Sequence, residues 1–388
     1  MFSKRVQKLS PSLTIAVDVK AKAFKKQGIP VINLSVGEPN FQTPKNIREA
    51  AKNAIDKEIS FYTQPEGIEE LRHAIVKKFA RDNKLTYAVS EIIVGVGAKQ
   101  LLYSAFQVLC DKGDEVIIPI PTWNTFVEQV KLADAKPVLV KLKPPFRLTA
   151  ADVEKTVSPK TKILLINSPA NPTGAMIDPE ELEKIADLAV KNNFFIIADE
   201  IYEKLVYKQK HISIASINEK VKERTVVING VSKSYAMTGW RVGYAAGPKE
   251  IIAKMRSLQS QMLTHVPNIS QIAATEALTG DQTSVEEMRK AFEKRRQFCM
   301  EELAKIKGLS VHEPDGAFYF FVSVEKLLGK KYPTSSAWAE ALLEKEKVAV
   351  VPGEGFFYPG YFRMSYAASD EDLKEAMKRI KNFIVRAE

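Results

Sequence analysis

Cysteine is almost missing from this chain. Cys110 and Cys299 are its only two in 388 residues, and their spacing suits neither a metal site nor a disulfide framework. They read as reduced thiols of a cytoplasmic protein. No apolar run approaches the roughly 18 residues that a membrane span needs. The segment Met1-Phe2-Ser3-Lys4-Arg5-Val6 lacks an apolar signal core, so export is not expected. Repeats, low-complexity tracts and Pro/Gly/Ser linkers are also lacking. An arginine-rich stripe or an aromatic-plus-basic platform is missing too, although the net charge is +10. The lysines are interleaved with acids along helical patterns such as 47–57 and 371–381. Solvated helix faces explain most of that charge, with steering of small acidic substrates as a further contribution. Nucleic acid is therefore not an expected partner, and no metal is expected.

What remains is an ordinary globular composition, 45% hydrophobic, in a chain longer than one usual domain. Short β-branched runs alternate with longer amphipathic ones between about 91 and 246. Strands are expected at 92–96, 115–120, 162–167, 194–198 and 225–228. A helix is well marked between the third and fourth. Asp178 is placed to cap it, Pro179 suits its first turn, and Glu181 would close a capping box. Leu182, Ile185, Ala186, Leu188 and Ala189 form its apolar face. Such alternation implies an α/β fold with a mostly parallel sheet covered by helices. After about 291 the pattern changes to a charged helix, strands at 316–322, 348–351 and 361–366, and a further helix between the first two. We expect a large domain over 45–290 and a smaller, discontinuous α+β domain from 1–44 and 291–388.

Ligands of open α/β sheets sit beyond the carboxyl ends of the strands, and here those ends carry unusual residues. The first runs into Gly95-Val96-Gly97-Ala98-Lys99, where small residues and a helix start can cradle an anion, or simply make a tight turn. A dinucleotide loop would need a third glycine and an acid after the next strand. Gln100 follows Lys99, and that strand ends in prolines and Trp123. Trp123 offers either core packing or a flat face for a ring. Prolines fix the loop Asn167-Ser168-Pro169-Ala170-Asn171-Pro172-Thr173-Gly174 and aim the Asn171 amide. Asp199 ends a strongly apolar strand, where a carboxylate calls for a cation or caps the next helix; Tyr202 follows three residues later. Lys233 and Arg241 then leave the fifth strand within 231–244. Together the five ends supply a phosphate loop, a ring platform, an amide, a buried acid and an amine. An aldehyde with an anionic tail, such as pyridoxal phosphate, would use all five.

Asn171-Pro172-Thr173-Gly174, Asp199-Glu200-Ile201-Tyr202 and Ser232-Lys233-Ser234 through Arg241 resemble the class I/II aminotransferases of fold type I, which depend on pyridoxal phosphate. The similarity runs almost end to end and is greatest to the bacterial and archaeal aspartate aminotransferase branch. It implies that Lys233 holds the cofactor through an imine and later moves the proton. Asp199 would pair with the pyridine nitrogen, Asn171 and Tyr202 would hold the phenolic oxygen, and Trp123 would stack on the ring. Gly97, Ala98, Lys99, Ser232 and Arg241 match phosphate-binding positions. Arg363 and Gly37 match contacts to the substrate α-carboxylate, with Trp123 and Asn171 also facing the substrate. Lys99 matches a contact to a distal carboxylate. Tyr62 matches a tyrosine that reaches the phosphate across a dimer interface, which implies a homodimer with shared active sites.

Departures bear on the substrate. Ser10 stands where prephenate-using relatives tend to carry lysine. Ala170 replaces a frequent asparagine, and Thr122 precedes Trp123 where an aromatic is common. His265 lies in a segment that resembles one overhanging the neighbouring subunit's site. The expected reaction is transfer of an amino group from an L-amino acid, aspartate or glutamate, to a 2-oxo acid such as 2-oxoglutarate. Aromatic or alanine donors, or a lyase reaction on the same scaffold, are the alternatives.

Overall fold

In a computed structural model, which describes residues 2–386, the strands fall into three sheets. In chain order they are β1 (Ile32–Asn33), β2 (Ile92–Val96), β3 (Glu115–Ile120), β4 (Lys136–Lys141), β5 (Thr161–Asn167), β6 (Phe195–Asp199), β7 (Thr225–Gly230) and β8 (Val242–Ala246). The carboxyl-terminal part adds β9 (Ser310–Val311), β10 (Tyr319–Ser323), β11 (Val348–Ala349), β12 (Val351–Pro352) and β13 (Tyr361–Ser365). The main sheet has seven strands in the order β2-β8-β7-β6-β5-β3-β4. All its pairs are parallel except those of β8, which runs antiparallel to β2 and β7. Burial on both faces explains the continuous apolar runs: Ile163 to Ile166 of β5 and Ile196 to Ala198 of β6 are all buried.

Two strands of the main sheet were not expected from the sequence. β4 contains Pro137, which argues against a strand unless it lies at an edge, and β4 is the edge. β8 reads Val-Gly-Tyr-Ala-Ala, too poor in β-branched residues to stand out. Its glycine is needed, because a Cβ on Gly243 would come within 2.4 Å of the Ala98 nitrogen.

The helix Pro179–Asn192 lies where expected and buries Leu182, Ile185, Ala186 and Ala189, with Leu188 only partly covered. Its expected capping box does not form. Arg147 takes the Asp178 carboxylate at 2.5 Å, and Glu181 accepts instead from the Ala150 nitrogen at 2.7 Å. Both side chains gain partners brought from elsewhere in the fold.

Near the carboxyl end, β12-β13-β10-β9 form an antiparallel sheet, and β1 pairs in parallel with β11. The expected strand 348–351 therefore splits at Val350 between two sheets. Its first half carries residues 32–33 along with it. Phe318, Tyr319, Phe362, Trp338 and Phe292 fill the core beneath.

Candidate active site

Because β2, β3, β5, β6 and β7 all point the same way, their carboxyl ends share one edge of the main sheet. A cavity of about 370 Å³ opens there. It is lined by Gly37, Ala98, Lys99, Trp123, Asn171, Asp199, Tyr202, Ser232, Lys233, Arg241 and Arg363, all expected site residues. Gly97 stands just behind the lining, and Tyr62 lies outside it, 88% exposed, with its ring 5.5 Å from that of His265.

Lys233 donates from Nζ to the Gly37 carbonyl at 2.5 Å. Burial pulls its ammonium down to about 8, against the opposing pull of Glu38, with Arg363 and Arg241 lowering it further. A readily deprotonated amine is what nucleophilic attack on a carbonyl requires. Asp199, 4% exposed, accepts from the Ile201 nitrogen at 3.2 Å. Burial raises its carboxyl to about 7, although that hydrogen bond and Lys233 both act to lower it.

Arg241 follows directly on Gly97 in space. Its Nη1 donates to the Thr238 carbonyl at 2.9 Å and its Nη2 to that of Val96 at 3.4 Å. Gly97 has φ +75°, and a Cβ there would come within 2.4 Å of Arg241 Nη2. That close approach joins a guanidinium to the first turn of the helix Ala98–Leu109, whose leading N–H groups have no intrahelical acceptor. The antiparallel β8 makes this possible, since its amino end lies at the same edge and starts just after Arg241.

Arg363 is 1% exposed on β13. Its Nη1 donates to Asn171 Oδ1 at 2.9 Å and its Nη2 to the Ser35 carbonyl at 2.5 Å, whereas Nε has no partner. Tyr319 and Phe356 sandwich the guanidinium, with ring centres at 4.4 and 5.0 Å. Burial lowers its proton affinity, partly countered by Tyr319 and Tyr202. Lys99 Nζ lies 4.6 Å from the centre of the Trp123 ring. Burial, then Arg241, lowers the Lys99 ammonium.

Several lining residues were not singled out in the sequence. Tyr319 shares a 2.8 Å hydrogen bond with Tyr202, and its hydroxyl occupies the space a Cβ on Gly37 would take. Asn167 accepts from the Asn171 nitrogen at 2.8 Å and donates to the Asp199 carbonyl at 3.2 Å, tying two strand ends together. Thr125 and Thr238 also line the cavity. Only the position of Asn167, last in its strand, offered a sequence signal.

Among the described residues, Lys99, Lys233, Arg241 and Arg363 have no carboxylate within 4.0 Å, and Asp199 is the single acid of the lining. Four cations against one acid describe a cavity for a multiply anionic load. The partnerless Arg363 Nε, the glycine cradle at Arg241 and the lone buried acid fit a phosphate-bearing pyridine aldehyde together with a carboxylate substrate. Lys233 supplies the amine for such an aldehyde.

Comparison with known proteins agrees. The family described as aminotransferase class I and II matches residues 29–380. An aspartate aminotransferase of Bacillus sp. (strain YM-2) is 48% identical over 388 residues, which cover 99% of each chain. The crystal structure of the aspartate aminotransferase from Rhizobium meliloti superposes with a TM-score of 0.96 at 39% identity, covering 100% of this chain and 99% of the other. The Thermus thermophilus aspartate aminotransferase with maleate gives 0.95 at 41%, covering 99% of each. This chain belongs to the class I and II aminotransferases, fold type I enzymes that use pyridoxal phosphate to move amino groups from amino acids to 2-oxo acids.

Proposed function

We propose that the amino donor is aspartate or glutamate and the acceptor a 2-oxo acid such as 2-oxoglutarate, used in alternation at one site. The carrying observation is the set of four cations without carboxylate partners around the single acid Asp199. When bound, pyridoxal phosphate supplies the aldehyde carbon and an electron-withdrawing ring. Lys233 would provide the amine for that carbon and would take up and return the proton of the substrate Cα. Asp199 would pair with the protonated ring nitrogen. Tyr202 and Asn171 would hold the phenolic oxygen, and Trp123 would stack on the ring. Arg241, Ser232 and the helix start at Gly97, Ala98 and Lys99 would hold the phosphate.

Arg363, backed by Asn171 and Gly37, grips the α-carboxylate that all amino acids share, a task suited to a planar, bidentate donor. Lys99, with Ser12 and Thr14 of the same lining, is left to read a distal carboxylate. The dicarboxylate maleate bound to the Thermus enzyme supports an acidic side chain. Tyr62 and Phe61, 88% and 82% exposed, support a homodimer in which Tyr62 reaches the partner's phosphate. The pairing of β1 with β11 supports a small domain built from 1–44 and 291–388 beside a large one at 45–290. We place the enzyme in the cytoplasm, since both cysteines are free.

A panel of donors with 2-oxoglutarate tests the assignment. Aspartate and glutamate should give the highest kcat/KM, and the yellow protein should bleach with glutamate and recover with a keto acid. Lys99→Ala should raise KM for aspartate roughly tenfold, about 1.4 kcal/mol, while leaving alanine and phenylalanine nearly unchanged. Arg363→Ala should harm every donor. Preference for alanine or phenylalanine overturns the substrate, and steady release of pyruvate and ammonia overturns the reaction.

A further inference from the structure

Behind Asp199 lies a second group of buried charges that the reaction leaves unused. The chain turns directly after β6, with the Glu203 nitrogen donating to the Glu200 carbonyl at 3.0 Å. This turn has two faces. Asp199 and Tyr202 line the cavity, whereas Glu200 and Glu203 do not and are buried with side chains 3% and 5% exposed. His211 Nε2 stands 3.2 Å from Glu200 Oε2, an ion-pair distance, its side chain 6% exposed, and neither atom has a hydrogen-bond partner among the described residues. Glu203 is taken by the Lys78 ammonium and by Asn83 Nδ2 at 2.8 Å.

We propose that the buried Glu200–His211 pair, backed by Glu203 and Lys78, positions the turn that carries Asp199 and sets the charge on its carboxylate. These are positioning residues, and the inference rests on the reading of Asp199 as the partner of the ring nitrogen. The argument is one of charge balance. Lys78 with Glu200 and Glu203 sums to one negative charge, and a proton on His211 brings the cluster to zero. A neutral cluster lets Asp199 ionise beside it, whereas a negative one favours its protonated form.

Burial by itself would lower the His211 imidazole. Glu200 and then Glu203 more than offset this and raise it above its ordinary value, with Lys78 opposing. Glu200 in turn acts to raise Asp199. Other charged groups face the cluster as well: Lys208, Lys210, Glu286, Arg289 and Glu293 line the cavity beside His211 and Glu203, and the variants below leave all of them in place. Tyr87, Tyr235 and Tyr244 are held un-ionised by burial, and Asp82 meets two cations, Arg81 at 2.8 Å and Lys204 at 2.7 Å, a surplus of one positive charge that no variant below changes. Side-chain atoms of Glu200, Glu203 and His211 lie within 4.8 Å of one another, and the Lys78 ammonium pairs with Glu203.

The test is a rescue. In the full chain without cofactor, His211→Gln leaves the cluster at one negative charge. The Asp199 carboxyl, followed by carbon-13 NMR, should then titrate about one pH unit higher. Adding Glu200→Gln restores neutrality and should return the midpoint toward that of the wild type. In the loaded enzyme, kcat should fall about tenfold in His211→Gln, with KM for the donor changed less than about twofold, and recover in the double variant. A merely structural role predicts a double variant worse than either single one, and that result, or an unmoved Asp199 midpoint, overturns the proposal. Should His211→Gln fail to fold, the wild type decides. Its Asp199 signal must show an inflection at the midpoint of the His211 ring, one of only four histidines, and a lack of that inflection overturns it as well. Asp199→Asn with unchanged kcat would instead remove the ring-nitrogen reading and leave the NMR result standing.

Discussion

Lys233 and Asp199 are the two residues whose chemistry conflicts with where they sit. In the cofactor-free chain the Lys233 amine titrates near 8 folded and near 10.5 unfolded. Below 8 both states hold the proton, and folding carries the whole burial penalty, up to roughly 3 kcal/mol. Between 8 and 10.5 the folded state binds fewer protons than the unfolded one, so the penalty fades as pH rises. Asp199 behaves oppositely, titrating near 7 folded against 3.8 unfolded. The folded state keeps a proton that the unfolded state has shed, so stability falls as pH climbs from about 4 to about 7 and then levels off. Thermal unfolding of the cofactor-free chain should therefore show Lys233→Met above the wild type at pH 7, the gap closing by pH 10.5. For Asp199→Asn the gap should open between pH 4 and 7 and persist above. Gaps independent of pH would refute these assignments. In the loaded enzyme Lys233→Ala should reduce turnover to background with the fold retained, and Asp199→Asn should lower kcat about 10²-fold.

At the scale of elements, the phosphate cradle depends on two segments that meet only because β8 runs against its neighbours. Besides its backbone, Gly97 matters for what it leaves out. A methyl group at φ +75° would be strained and would displace the Arg241 guanidinium. Gly97→Ala should cost about 1 kcal/mol of stability but weaken pyridoxal phosphate binding roughly tenfold or more, as read by spectral titration. An unchanged affinity would show that Arg241 does not need this approach. The loop glycines and the helix after them were legible in the sequence. The strand that brings Arg241 to them was not, because Gly243 and the alanines of β8 are chosen for close packing and not for strand propensity. The expected cap at Asp178 failed for a similar reason, since Arg147 reaches that carboxylate from 31 residues away.

For the whole molecule, the exposed pair Phe61 and Tyr62 carries the expectation of a shared site. The Asn268 side chain holds the Phe61 carbonyl at 2.5 Å, and His265 packs edge-on against Tyr62, so the segment is presented outward in a defined shape. Tyr62→Phe should weaken cofactor retention about tenfold while leaving the sedimentation behaviour of a dimer unchanged. A monomer fully active at high dilution would contradict the shared site.

The order of residues by itself determined the α/β class, five of the seven main strands and just over half of the cavity lining. Local patterns decide these: an apolar strand followed by a polar or small residue must place that residue at a strand end, whatever surrounds it. Only the tertiary structure decided what those residues face. Arg363 reads as an ordinary strand cation until Tyr319, Phe356 and Asn171, from distant parts of the chain, enclose it without a carboxylate. No local pattern marked Glu200 and Glu203 for burial, yet the turn after β6 packs them against Lys78 and His211. Burial and unpaired charge are properties of contacts between distant segments, and no local spacing encodes them.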